Sequence, residues 1–213
     1  MATFEKGILG GFSGKVGNVV GSRWRGKNVM RSLPQRGKYT PSEKQEEQRQ
    51  KFKTVIGFLS PIGAILSEYF GNPQGDKSRS NLATSYHLKN AVINAPQGMV
   101  MDYAKVLISK GDLRGIDTGT LTIAPAQTIN LGWTDNSGQG KATATDELMV
   151  VVYAPDLNLF YSNLNVATRN ATTGVVTLPS YMSSFEVEVW GSFYKPDTNF
   201  AAVSTYLGNA TVL

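Results

Sequence analysis

Phe185-Glu186-Val187-Glu188-Val189-Trp190 sets Phe185, Val187 and Val189 against Glu186, Glu188 and Trp190 at a period of two. That alternation is the mark of a strand with one face on a core and the other toward solvent. Continued through Tyr194, it is one of a series of candidate strands that begins after Met99. The others are Val100–Ser109, Thr120–Ile123, Thr128–Trp133, Glu147–Tyr153, Leu159–Ser162, Gly174–Leu178 and Ser204–Val212. Turn clusters separate them, among them Asp135-Asn136-Ser137-Gly138, Pro155-Asp156 and Lys195-Pro196-Asp197. Short antiparallel strands in this number, with Trp133 in an early one, predict a β-sandwich of fibronectin type III or immunoglobulin-like pattern over residues 98–213.

Upstream the periodicity becomes helical. Thr40 as N-cap, Pro41 at the first helical position and Glu43 as the capping-box partner start a helix. Phe52, Val55, Ile56, Leu59, Ile62, Leu66, Tyr69 and Phe70 then recur mostly at steps of three and four. Pro61 kinks or splits this helix, and Gly71-Asn72-Pro73 ends it. A second helix is expected from Arg79 to Asn94, with Leu82, Tyr86, Lys89 and Ile93 in line and Pro96 as its stop. The predicted class is thus α+β in three segments: a Gly-rich basic arm and β-hairpin over 1–40, a helical segment over 41–97, and the sandwich over 98–213.

The first 53 residues differ from the rest. They hold 12 of the 21 Lys/Arg against four Glu, net +8, whereas residues 54–213 carry nine basic and 12 acidic groups, net −3. Glycines at 7, 10, 11, 14, 17, 21 and 26 punctuate the same stretch. Within it Val16, Val19, Val20 and Trp24 form one limb of an expected hairpin, and Val29, Met30 and Leu33 the other. Arg25-Gly26-Lys27-Asn28 supplies the turn. Gly17 and Gly21 either weaken the first limb or admit another backbone close by. An isolated two-stranded hairpin is marginal in water, so this one needs a partner surface.

Several chemistries are excluded or disfavoured. With no cysteine there are no disulfides, thiolate sites or Cys nucleophiles. Gly14-Lys15 fails the phosphate-loop pattern at both ends, because position 9 is Leu and position 16 is Val. His87 is the single histidine and reads as a surface or capping residue. Asp146-Glu147 reads as a turn, and Glu186 and Glu188 as the solvated face of a strand, not as paired catalytic carboxylates. No apolar run approaches the ~20 residues that span a bilayer, and Met1–Gly14 lacks the features of a signal peptide. The expectation is a non-enzymatic protein without cofactor or metal, made in the cytoplasm.

Arg23-Trp24-Arg25-Gly26-Lys27, with Arg31 and Arg36 after it, is the sharpest positive feature. Cations flanking an aromatic suit either a Trp24 packed into the body with the cations on its rim, against the acidic surface of a neighbouring subunit, or a grip on phosphate with Trp24 stacked on a base of nucleic acid. The expected interaction residues are Phe4, Phe12, Trp24, Arg23, Arg25, Lys27 and Arg31. The favoured partner is a homo-oligomer or another structural protein, with nucleic acid as the alternative.

The stretch from Gly7-Ile8-Leu9-Gly10-Gly11-Phe12-Ser13-Gly14-Lys15 to Gly21, then Trp24-Arg25-Gly26, Arg31-Ser32-Leu33-Pro34 and Gln45-x-x-x-Arg49-x-x-Phe52, resembles an uncharacterised family of Bacteroidota proteins. Trp133, Asp146 before Leu148-Met149-Val150, Arg169, Thr177-Leu178-Pro179 and Tyr206-Leu207-Gly208 extend the resemblance over nearly the whole chain. It is a domain of unknown function and implies no catalytic residues. The Gly-rich start followed by a Gln-x-x-x-Arg-x-x-Phe helix is more loosely similar to small phage and prophage structural proteins. That likeness points to a subunit of a ring, fibre or virion.

Overall fold

A computed structural model describes residues 2–4 by their backbone and residues 11–35, 37, 40–96 and 98–213 in full. The chain divides into two compact units, Met1–Glu46 and Glu47–Leu213.

The first unit is a four-stranded antiparallel sheet. Its strands are β1 (Ala2–Phe4), β2 (Gly14–Val16), β3 (Val19–Trp24) and β4 (Lys27–Ser32), in the order β1-β4-β3-β2. The valine pattern predicts one continuous limb over residues 16–24. The chain in fact reverses at Gly17-Asn18, where Gly17 has φ +57°, so that Val16 faces Val19 and β2 becomes a separate strand. The second reversal is tighter than expected. Arg25 and Gly26 alone form it, both at positive φ (49° and 80°), and Lys27 and Asn28 belong to β4. Two adjacent residues in the left-handed region mark a type I′ turn, whose twist suits a two-residue hairpin.

The second unit begins with α1 (Glu43–Leu59), whose first turn lies before the division at Glu47. The start moves two residues from the expected one. Ser42 is the cap, with Gln45 N–H and Glu46 N–H bonding its carbonyl and Gln45 Oε1 accepting from Ser42 N–H at 3.1 Å. Ser42-x-x-Gln45 thus supplies the glutamine half of a capping box, and Pro41 precedes it. The helix stops before Pro61, and α2 (Gly63–Tyr69) and α3 (Arg79–Asn90) follow. The helix expected to reach Asn94 ends four residues early. Val92 and Ile93 are β-branched and enter β5 (Val92–Ala95), which pairs with β6 (Gly98–Met101). The single strand expected over Val100–Ser109 is the end of β6 followed by a turn of 3-10 helix at Tyr103–Lys105.

From there the strands lie close to where alternation put them: β7 (Thr120–Ala124), β8 (Thr128–Gly132), β9 (Glu147–Ala154), β10 (Leu159–Asn163), β11 (Thr173–Thr177), β12 (Glu186–Tyr194) and β13 (Thr205–Thr211). They form a four-stranded sheet, β10-β9-β12-β13, facing a three-stranded sheet, β11-β8-β7. The α+β class with a C-terminal antiparallel sandwich is what the chain adopts. Leu148, Val150, Val152, Val187, Val189 and Phe193 of the larger sheet share a buried core with Ile129, Leu131 and Val176 of the smaller.

The larger sheet has a second buried face. Met149, Val151, Tyr153, Trp190 and Tyr194 pack with Val55, Phe58, Leu59, Leu66 and Phe70 of the helical segment. Phe58 sits edge-on to Tyr153 and Phe160, with ring centroids 5.1 and 5.0 Å away. Residues 47–213 are therefore three layers: helices, four strands, three strands. A strand covered on both sides reads as a continuous apolar run, and Leu148–Ala154 is one.

Candidate interaction surface

Directly opposed residues of an antiparallel pair share a face, so register assigns each residue of the N-terminal sheet to a side. Lys27 lies opposite Trp24, Val29 opposite Ser22, Arg31 opposite Val20, and Lys15 opposite Val20 from the other strand. Trp24, Lys27, Arg31 and Lys15 are thus on one face. Arg23, opposite Asn28, is on the other. The expected cluster is in this way divided by the pleat.

At the tip, Trp24 is 56% exposed and the Arg25 guanidinium lies 4.8 Å from its ring centroid. This is a cation–π contact, which holds the indole and leaves much of it to solvent. Phe12 leans on the opposite face. A Cβ at Gly21 would come within 2.5 Å of the Phe12 ring and carbonyl oxygen, so glycine is what allows this approach. The backbone of Phe4 pairs with Asn28, while its side chain lies outside the described residues. Among the described residues of this unit, only Gly21 and Val29 are buried. Val16 and Val19 are exposed beside the Gly17-Asn18 turn.

The remaining candidates sit in the second unit, and three of them are not where the sequence put them. Asp146 is fully buried, not solvated: Arg169, also 0% exposed, donates from Nε to Asp146 Oδ2 at 3.1 Å. The same guanidinium bonds Asn136 Oδ1 and donates from Nη2 to the Arg114 carbonyl at 2.9 Å. It also stacks over Phe193 at 3.9 Å. Burial lowers the Arg169 pKa, and Asp146 opposes that shift. Trp133 Nε1 donates to the Arg169 carbonyl at 2.7 Å, and Thr143 N–H to Asp146 Oδ2 at 2.9 Å. With every polar atom partnered, the group ties the loops around 114, 136, 143 and 169 together.

Glu188 is 7% exposed and accepts from Tyr206 Oη at 2.5 Å, on the face covered by helices. Glu147 likewise accepts from Tyr194 Oη, at 2.6 Å. These carboxylates hold tyrosines; Glu186 alone of the strand pair stays exposed. His87 is fully buried, not at the surface. Its Nδ1 is 2.7 Å from the Ala83 carbonyl, and Nε2 accepts from Leu107 N–H at 3.2 Å. That pair of bonds fixes a neutral imidazole protonated at Nδ1. Burial lowers its pKa.

Sequence reasoning did not find an open groove of ≈ 640 Å³ between α1 and β6. Phe58, Met101 and Tyr153 form its floor, with Lys53, Tyr103 and Asn158 at its margins. Burial, with Tyr153 and Glu188 nearby, pushes the Tyr103 hydroxyl up to about 12. Thr54 Oγ1 bonds the Met99 carbonyl at 3.2 Å across it. The groove is assembled from residues about 100 positions apart (Lys53 to Asn158), and no local pattern announces it. Among the described residues no cluster of three or more His, Cys, Asp or Glu could hold a metal ion, and no helix is long and apolar enough to cross a membrane.

Among solved structures, the chain is similar to the fn3 domain of the human collagen alpha-1(XX) chain. The two are 17% identical, the match covers 49% of this chain and 88% of that domain, and the TM-score is 0.32. No curated protein matches the sequence. A family model does match, over residues 11–208, from just before β2 of the N-terminal sheet into β13, and the chain belongs to that family of unknown function, DUF6266.

Proposed function

We propose that this protein is a non-enzymatic structural subunit that self-assembles through its N-terminal unit, as part of a ring, fibre or virion-like particle. The observation that carries the reading is Trp24, exposed at the tip of a sheet in which only two described residues are buried. A 46-residue unit with so small a core gains stability from a partner surface. Trp24 is the exposed aromatic anchor, with Phe12 and Phe4 as the further anchors of the proposal. Arg23, Arg25, Lys27 and Arg31 select an acidic neighbour. The first unit carries nine Lys/Arg against three Glu, while the second, with 12 basic and 13 acidic groups, is close to neutral, so the charge that selects a partner is concentrated in the first. The loose likeness of the Gly-rich start and the Gln45/Arg49/Phe52 helix to phage and prophage structural proteins supports the same reading. Synthesis in the cytoplasm followed by incorporation into a particle suits it.

The test is particle mass by light scattering on nuclease-treated, full-length protein. A mass many times 23.1 kDa that falls on Trp24→Ala is expected. A central anchor of this kind contributes about 2 kcal/mol or more. A wild type that runs as a monomer, or an unchanged mass in Trp24→Ala, overturns the reading.

One observation favours a second reading. Lys15, Lys27 and Arg31 share the face of Trp24, the combination that grips phosphates and stacks a base. Binding of a labelled single-stranded oligonucleotide that weakens steeply with salt, and is lost on neutralising Lys15, Lys27 and Arg31, would replace assembly with nucleic-acid binding.

A further inference from the structure

β11 lies at the edge of the three-stranded sheet. Its pairing to β8 is bracketed by two hydrogen bonds: Trp133 N–H to the Thr172 carbonyl at 2.9 Å, and Leu178 N–H to the Gln127 carbonyl at 2.8 Å. Between them the antiparallel alternation makes Gly174–Leu131 and Val176–Ile129 the bonded pairs. The N–H and C=O groups of Thr173, Val175 and Thr177 therefore point away from the sheet. No described residue bonds them, and all three side chains are exposed, Val175 at 58%.

Open edges normally carry a charge, a proline or a bulge that discourages pairing. Thr173-Gly174-Val175-Val176-Thr177 has no charge and no proline, and its register on β8 runs without a shift. The sheet beside it is equally uncharged. The nine outward positions of β7, β8 and β11 hold five Thr and one each of Val, Asn, Ala and Gly.

We propose that β11 is a homodimerisation edge: two copies pair antiparallel about a two-fold axis at Val175 and join their three-stranded sheets into one. The edge is self-complementary about that residue. Val175 meets its own counterpart, Thr173 meets Thr177 of the second copy, and all of these are bonded positions on both sides. Cross-strand Thr–Thr pairs are favourable, and an uncharged sheet extends into its copy without like-charge repulsion. On the inner face Gly174 meets Val176 of the second copy, small against large. The edge uses none of the residues of the N-terminal unit and stands whether or not that unit assembles.

Val175→Lys places two ammonium groups opposite each other, with Cα atoms about 5.5 Å apart. The full chain is measured by sedimentation equilibrium up to about 100 µM, a range that resolves micromolar association. Wild type and the Trp24→Ala chain are both tested, so that arm-dependent assembly is separated from edge pairing. Val175→Lys is expected to halve the mass in both backgrounds with an unaltered circular dichroism spectrum, while Val175→Thr keeps it. Val175→Cys supplies an independent readout in a chain with no other thiol. The same Cα separation lies within the disulfide range, so mild oxidation yields a covalent dimer, whereas Thr122→Cys on β7 does not. A Trp24→Ala chain that is monomeric at about 100 µM, a mass unmoved by Val175→Lys, or equal cross-linking of the two cysteine variants overturns the proposal.

Discussion

The N-terminal sheet and the four-stranded sheet of the second unit have the same number of strands and opposite economies. In the first, Gly21 and Val29 are the buried positions among the described residues. In the second, β9 is buried along seven consecutive residues, Leu148–Ala154, with a core on each side. One sheet holds itself by hydrogen bonds and turns and presents its side chains outward. The other is the middle layer of its unit. Buried core and exposed side chains thus fall on different stretches of the chain, and substitutions should separate stability from the proposed interaction.

The largest effect is expected at Arg169. Arg169→Ala strips the buried Asp146 carboxylate of its ion pair and leaves Phe193 without its stacked guanidinium, at a cost of about 3–5 kcal/mol. Urea unfolding followed by tryptophan fluorescence measures it; a loss below ~1 kcal/mol would mean that the loops hold without the pair. Met149→Ala, on the helix-facing side of β9, should remove about 2–5 kcal/mol by the same assay, with no change in particle mass.

Acid provides a third, smaller perturbation. The His87 pKa is lowered by folding, so its contribution is fully present above the unfolded value of 6.5. It is lost as pH falls from there through the folded pKa, because protonated Nε2 can no longer accept from Leu107 N–H. Melting temperatures taken between pH 7 and pH 5 should fall (an interval that brackets the ordinary histidine range) and should fall less in His87→Gln. The smallest change in stability belongs to the residue with the largest expected effect on assembly. In the unassembled chain Trp24→Ala should alter unfolding by no more than about 0.5 kcal/mol, since more than half of the residue is in solvent. A substantial loss there would break the contrast between the two sheets.

What the sequence discloses follows the range of the interactions concerned. Alternation in Phe185–Trp190 and the β runs after Thr120 identifies strands, because a strand's period is a property of adjacent residues. The α1 start is ambiguous in the sequence because Thr40-Pro41-x-Glu43 and Ser42-x-x-Gln45 both resemble start signals, and in the structure it is Gln45 Oε1 that accepts from the Ser42 N–H. The reversal at Gly17-Asn18 is hidden because a glycine inside a valine-rich run is equally compatible with a weakened strand, a close backbone approach or a turn. Burial of polar groups was not legible at all. Asp146 meets Arg169 23 residues on, Glu188 meets Tyr206 18 residues on, and His87 meets Leu107 20 residues on. Each isolated charge looks solvated until its distant partner is known. For the interaction surface, Trp24 and its cations were visible as a cluster. Their division between two faces follows from the same period of two that identified the strands.

The two turns that bound β3 also set an order of events during synthesis. Each joins strands through two residues, so the β2-β3-β4 sheet closes through local contacts, which form fast. The layered unit cannot close early, because β12 is an inner strand of its middle sheet and is complete only at Tyr194. While the ribosome is still making the sandwich, every residue of the basic sheet has already been synthesised. On the assembly proposed above, a neighbouring copy would meet a subunit whose body has yet to fold.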